Sequence, residues 1–138
     1  MTKFLTAILF VLACSVAHGK GLPNKAVRKH PSNFEVLTLV AWHEARGEPL
    51  HVQKLVVAVV KKRAIMSNKS VYEIVKEPHQ FPWQKRITTW RLTQEQAEFG
   101  FLVMSKPDVV TNYVYFNQNP HTFTKKNVKI GGLYFAVN

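Results

Sequence analysis

The chain predicts an α+β domain, a cluster of helices followed by a small antiparallel sheet, on three observations. Capping signatures of the S/T-x-x-E/Q form recur at Ser32 with Glu35, Ser70 with Glu73 and Thr93 with Gln96, and each sets an N-cap hydroxyl opposite a side chain that can reach back. Apolar residues after the first and third signatures, and after Pro49, step by threes and fours, the helical period. Beyond Pro107 that period gives way to runs rich in β-branched and aromatic residues, over 109–116 and 128–137, which read as strands.

A length of 138 residues with 46% hydrophobic and 12% aromatic content gives room for one domain with a real core and argues against disorder. Met1-Thr2-Lys3, the apolar run 4–13 and the small-residue exit Ser15-Val16-Ala17 have the layout of a secretory signal. Segment 1–17 is therefore expected to be a signal peptide cleaved after Ala17 or a retained signal anchor; Cys14 at a loose lipoprotein box is the third alternative. Residues 18–31, with Lys20, Lys25, Arg28 and Lys29 among glycines and prolines, read as a basic lead-in, and 32–138 as the functional domain. Cys14 is the only cysteine, so the exported chain is expected to rely on its core alone. The formal charge of +11 suits an anionic cell envelope, and export makes nucleic acid a poor partner.

The first helix is expected to start at Asn33, bury Phe34, Leu37 and Ala41, and stop near Arg46, with Gly47 as a left-handed C-cap. Pro49 suits a first helical position. Val52, Leu55, Val56, Val59 and Val60 give the next helix its buried face, Lys54, Lys61 and Lys62 its wet one, and Ser67-Asn68 its end. A short helix follows Ser70 and ends at Pro78. The stretch 77–90 is a loop dense in aromatics, whose rings either stack on sugars or plug the core beneath it. A last helix after Thr93 is expected to turn Ala97, Phe101 and Met104 inward. After the strand at 109–116, Asn117 to Pro120 turn the chain, and 128–137 return as a strand with a bulge or close backbone approach at Gly131-Gly132.

The chemistry is expected at Trp42-His43-Glu44-Ala45-Arg46-Gly47-Glu48-Pro49. Glu44 falls on the apolar stripe of the first helix where a leucine belongs, so burial and the negative end of the helix dipole both disfavour its ionised form. A carboxylic acid kept protonated near neutral pH is what a general acid must be. The plainer alternative pairs Glu44 with Arg46 or His43 at a frayed helix end. Of eight acidic residues, Glu35 and Glu73 are assigned to caps and Glu95 and Glu98 to a solvated face, which leaves Glu44, Glu48, Glu77 and Asp108. Glu48, the nearest of these in sequence, is the candidate second acid if the chemistry needs a carboxylate opposite the first.

The motif Glu44-Ala45-Arg46-Gly47-Glu48-Pro49, then Val56 to Val60 with Arg63, Gln80-Phe81, Asp108, Thr111, Tyr115-Phe116-Asn117 and Ile130-Gly131-Gly132 with Tyr134-Phe135, resembles the spore-cortex-lytic cell wall hydrolases of bacteria and phages. The resemblance covers nearly all the chain after about residue 33. Lys62 stands where that family usually has Asn, and Leu133 where a His is common. The resemblance implies a compact lysozyme- or lytic-transglycosylase-like domain that cleaves peptidoglycan with Glu44, lines its cleft with Arg46, Gln80, Phe81, Tyr115, Phe116 and Asn117, uses no cofactor or metal, and is expected to act as a monomer. Cleavage by the substrate's own hydroxyl needs one acid; ordinary hydrolysis needs a base as well. Two rivals remain. A zinc amidase would draw on His43, His51, His79 and His121, though His43-Glu44 lacks the second histidine of H-E-x-x-H, and a basic envelope binder would hold glycan without cutting it.

Overall fold

The computed structural model describes residues 30–138 apart from Thr124 and Lys125; the expected signal segment and most of the basic lead-in lie outside the described residues. In chain order come α1 (Asn33–Ala45), α2 (Leu50–Ser67), α3 (Val71–Lys76), a 3₁₀ turn (Pro82–Lys85), α4 (Gln94–Val103), β1 (Tyr115–Asn117), a second 3₁₀ turn (Pro120–Thr122), β2 (Asn127–Ile130) and β3 (Leu133–Ala136). The expected α+β arrangement is present, with the strands forming one antiparallel sheet in the order β1-β3-β2.

All three capping boxes form, with Ser32, Ser70 and Thr93 each accepting from the amide three residues on while Glu35, Glu73 and Gln96 reach back. Each cap contributes about 1 kcal/mol by satisfying amides that a helix start leaves orphaned.

α1 packs against α2, α3 and α4, so Val36, Leu37, Thr38, Leu39, Val40 and Ala41 are all buried. The helix is wrapped on nearly every side, as a helix apolar all round must be. α2 buries the five expected residues together with Gln53, Val57, Ala58 and Ala64, and Asn68 closes it in the left-handed region at φ 51°.

Four expectations are corrected. Arg46, the C-cap of α1, is right-handed at φ −60°, and Gly47 has no positive φ. The chain leaves α1 instead through a turn closed by the Glu48 amide on the Ala45 carbonyl at 2.9 Å. Pro49, at ψ 152°, is the N-cap of α2 and not its first helical residue. In α4 the buried positions are Gly100 and Val103, with Phe99 and the expected Met104 packed against the core, while Phe101 is 68% exposed and meets only Phe34, in a tilted contact at 4.9 Å. One residue's step turns a helix by about 100°, and the tight seat of Gly100 on Thr38 sets that rotation.

The fourth correction is in the sheet. Residues 109–114 form no ladder beyond the Val114 amide on the Ala136 carbonyl at 2.9 Å, so β1 begins only at Tyr115. The segment read as one bulged strand is a hairpin, with Gly131 at φ 62° in the first central position of a two-residue turn between β2 and β3. A positive φ at that position alone is the signature of a type II′ turn, whose twist suits paired strands. β3 is the central strand and the best buried: Leu133, Phe135 and Ala136 each expose 2% or less.

No helix among the described residues is long and apolar enough to cross a membrane. The α1–α4 contact offers a direct test of the packing. A Cβ at Gly100 would fall on the Thr38 side chain, which is fully buried and cannot swing away, so Gly100→Ala is expected to destabilise the protein by about 1–3 kcal/mol despite alanine's better helix propensity. Urea unfolding checks this, and adding Thr38→Ala is expected to return most of the loss.

Candidate active site

Glu44 lies in the last full turn of α1, continuing the buried positions Leu37 and Ala41, and is half-buried. Its partner arrives from the aromatic loop. Pro82 opens the 3₁₀ turn that carries Trp83, and the Trp83 indole Nε1–H donates to Glu44 Oε1 at 2.8 Å. Trp83 itself is only 5% exposed. Two effects therefore compete at the carboxyl: burial, the larger, raises its pKa, and the indole hydrogen bond opposes it by favouring the charged form. The net shift is upward from the ordinary 4.5. A group whose pKa is raised by folding lends stability in full below its unfolded value and loses it as pH climbs through the folded one, so the native fold favours the protonated acid.

His43 stacks on Trp83, ring centroids 4.5 Å apart and planes 15° from parallel. Its pKa is lowered from 6.5 by burial and then by the charges of Arg46 and Arg86, so the imidazole is neutral at pH 7. The alternative pairing of Glu44 with Arg46 or His43 is replaced by the indole contact. Arg46 instead lies over the Trp42 ring at 5.1 Å.

Glu48, the candidate second acid, accepts the Gly132 amide on Oε2 at 2.8 Å. A Cβ on Gly131 or on Gly132 would collide with that carboxylate, which gives both glycines of the hairpin turn a steric reason. Buried Gln53 of α2 fastens the same corner, its Nε2 donating to the carbonyls of Glu48 at 2.8 Å and Arg46 at 3.2 Å. Of the remaining acids, Glu77 pairs with Arg63 at 2.7 Å and Lys69 at 2.8 Å, and Asp108 pairs with Lys106.

Gln80, Tyr115, Phe116 and Asn117 line one groove of about 360 Å³ at the open edge of β1. Neither Glu44 nor Arg46 is among its lining residues. Phe81 is 4% exposed and lies under this surface, bridging Trp83 at 5.9 Å and Phe116 at 6.1 Å; the core-plug alternative holds for it and for Trp83. The expected site residues thus fall into an acid cluster and a groove, joined by the aromatic series Trp83, Phe81 and Phe116. In the groove, Gln80 Oε1 is taken by Arg63 at 2.8 Å and Asn117 Oδ1 by the Asn119 amide at 2.8 Å. Both carboxamides are left with NH₂ donors to offer an acceptor-rich ligand.

Two members were not identified from the sequence. Trp83 was visible only as one ring in a crowded loop, and Gln53 only as a polar residue beside Val52; the odd polar position in an apolar helix face was the available signal. Among the described residues no three His, Cys, Asp or Glu side chains converge as a metal site would require. Compared with protein-family models, curated proteins and solved structures, the chain matches none.

The Glu48 contact separates a fastening role from a catalytic one. Glu48→Ala removes the acceptor from the Gly132 amide and is expected to cost about 1–2 kcal/mol in urea unfolding, with faster exchange of that amide. Glu48→Gln keeps an acceptor oxygen and is expected to retain most of the stability.

Proposed function

We propose that this protein cleaves the glycan strands of peptidoglycan, with Glu44 as its general acid in a lysozyme/lytic-transglycosylase-like α+β domain. The observation that carries the reading is the half-buried Glu44 carboxyl, held by the Trp83 indole and raised in pKa by desolvation. Glu44 gives its proton to the oxygen joining N-acetylmuramic acid to N-acetylglucosamine, and the bond from the muramic anomeric carbon to that oxygen breaks. The muramic O6 hydroxyl then closes on the same carbon and returns its proton to Glu44, so one carboxyl serves as acid and then base. The binding of Glu48 to Gly132 supports this one-acid route over a hydrolytic route with Glu48 as base. Gln80 and Asn117 supply donors for N-acetyl and hydroxyl oxygens, and exposed Tyr115 offers sugar the ring face that Arg63 does not cover. The +11 charge draws the exported protein to an anionic envelope.

Glu44→Gln is expected to lower lysis of purified cell walls by at least about 100-fold with unchanged circular dichroism; near-normal lysis would defeat the assignment. Mass spectrometry is expected to find 1,6-anhydro ends on the fragments, whereas reducing ends would mean hydrolysis. Binding to walls without soluble fragments would mean a binder.

The pH profile supplies a second test. The indole hydrogen bond favours the ionised form of Glu44, so Trp83→Phe raises the pKa further, and the alkaline limb of lysis is expected to move to higher pH. A limb that moves to lower pH contradicts the assigned contact.

A further inference from the structure

The rings beside Glu44 carry a second feature, which rests on the glycan reading above. His43 and Trp83 are stacked face to face, and each is followed three residues later by an arginine in helical backbone. Arg46 stands at φ −60°, ψ −26° at the end of α1, and Arg86 at φ −98°, ψ −17° at the end of the 3₁₀ turn, its amide donating to the Trp83 carbonyl at 2.8 Å. Residues three apart are neighbours on an α-helix and eclipse one another on a 3₁₀ helix. Both arginine charges act on His43, and the Arg46 guanidinium lies over the neighbouring Trp42 ring at 5.1 Å.

Among the described residues neither cation pairs with an acid. The ion pairs among the described residues use Arg63, Lys69 and Lys106, and Arg46 has only the face of Trp42. His43, Arg46 and Arg86 are all exposed. Glu44 answers to burial and the indole, whereas His43 is depressed by partial burial first and then by the charges of Arg46 and Arg86. An exposed pair of forked donors with no acid partner among the described residues, beside the exposed His43 ring, matches a planar carboxylate on a sugar.

We infer that Arg46 and Arg86, with the exposed His43 ring beside them, form a subsite for a carboxylate carried by the glycan strand next to the scissile bond. The carboxylate is that of the muramic lactyl group or of the peptide attached to it.

Titration of the intact protein with single sugars tests this, since none contains the bond to be cleaved. The probes are N-acetylmuramic acid, its methyl ester, N-acetylglucosamine and muramyl dipeptide, followed by NMR at the Trp83 indole and His43 imidazole. N-acetylmuramic acid is expected to bind about three- to tenfold more tightly than its ester or N-acetylglucosamine, the range for exposed ion pairs acting together. Arg46→Gln with Arg86→Gln is expected to erase that advantage. Equal affinities, or a preference that survives the double substitution, would overturn the subsite. Muramyl dipeptide binding as tightly as the free acid assigns the carboxylate to the peptide, and weaker binding assigns it to the lactyl group. No acid preference in the unsubstituted protein, alongside an inactive Glu44→Gln, removes the subsite and leaves the glycosidic reading intact; an acid preference that depends on the two arginines, alongside an active Glu44→Gln, does the reverse.

Discussion

The indole-to-carboxyl hydrogen bond between Trp83 and Glu44 is the constraint around which the domain is arranged. Its two ends come from segments 39 residues apart, one at the end of the central helix and one on a 3₁₀ turn within an irregular loop. The contact has opposed consequences. Burial by the ring withholds water and pushes the carboxyl towards its neutral form, while the N–H pulls gently the other way and fixes where the oxygen points. A carboxyl that is both held in place and reluctant to ionise is a chemically distinct object from the capping glutamates Glu35 and Glu73, which accept amides at helix starts.

That contact is only as good as its supports. α1 is enclosed by three other helices, so the position of its last turn is set by packing along its length, including the close seat of Gly100 against Thr38. The corner after it is fastened from two sides: Gln53 holds the carbonyls of Arg46 and Glu48, and the Glu48 carboxylate holds the hairpin turn. The sheet thereby abuts the helix end, and its outermost strand, β1, presents Tyr115, Phe116 and Asn117 beside Gln80. Helix end, hairpin and groove form one mechanical unit, with the aromatic series Trp83, Phe81 and Phe116 as its filling.

Much of this was legible in the sequence because the signals were local. Capping boxes declare helix starts by chemistry contained within four residues, and all three formed as written. The placing of Glu44 on an apolar stripe was equally local. What the sequence did not disclose depends on contacts across the chain. Phe101 reads as a core residue from its type, yet Gly100 faces inward because two helices approach closely at Thr38. The strand pattern at 109–116 is sound in composition, but β-structure requires a partner, and β3 pairs with its end only. Gly131-Gly132 reads as a bulge or close backbone approach within one strand, and only the pairing of β2 with β3 and the Glu48 carboxylate against Gly132 reveal a turn. Trp83 was one aromatic among several, and only the tertiary structure selects it as the partner of the acid.

Electrostatics give the account its sharpest exposure to experiment. The carboxyl carbon of Glu44 can be followed by NMR as pH is varied in the intact protein without any substrate. A titration midpoint clearly above the ordinary 4.5 is the result the structure requires, since desolvation outweighs the indole hydrogen bond. A midpoint at or below that value would mean that desolvation does not outweigh the indole hydrogen bond, and Glu44 would then have no special claim to donate a proton near neutral pH.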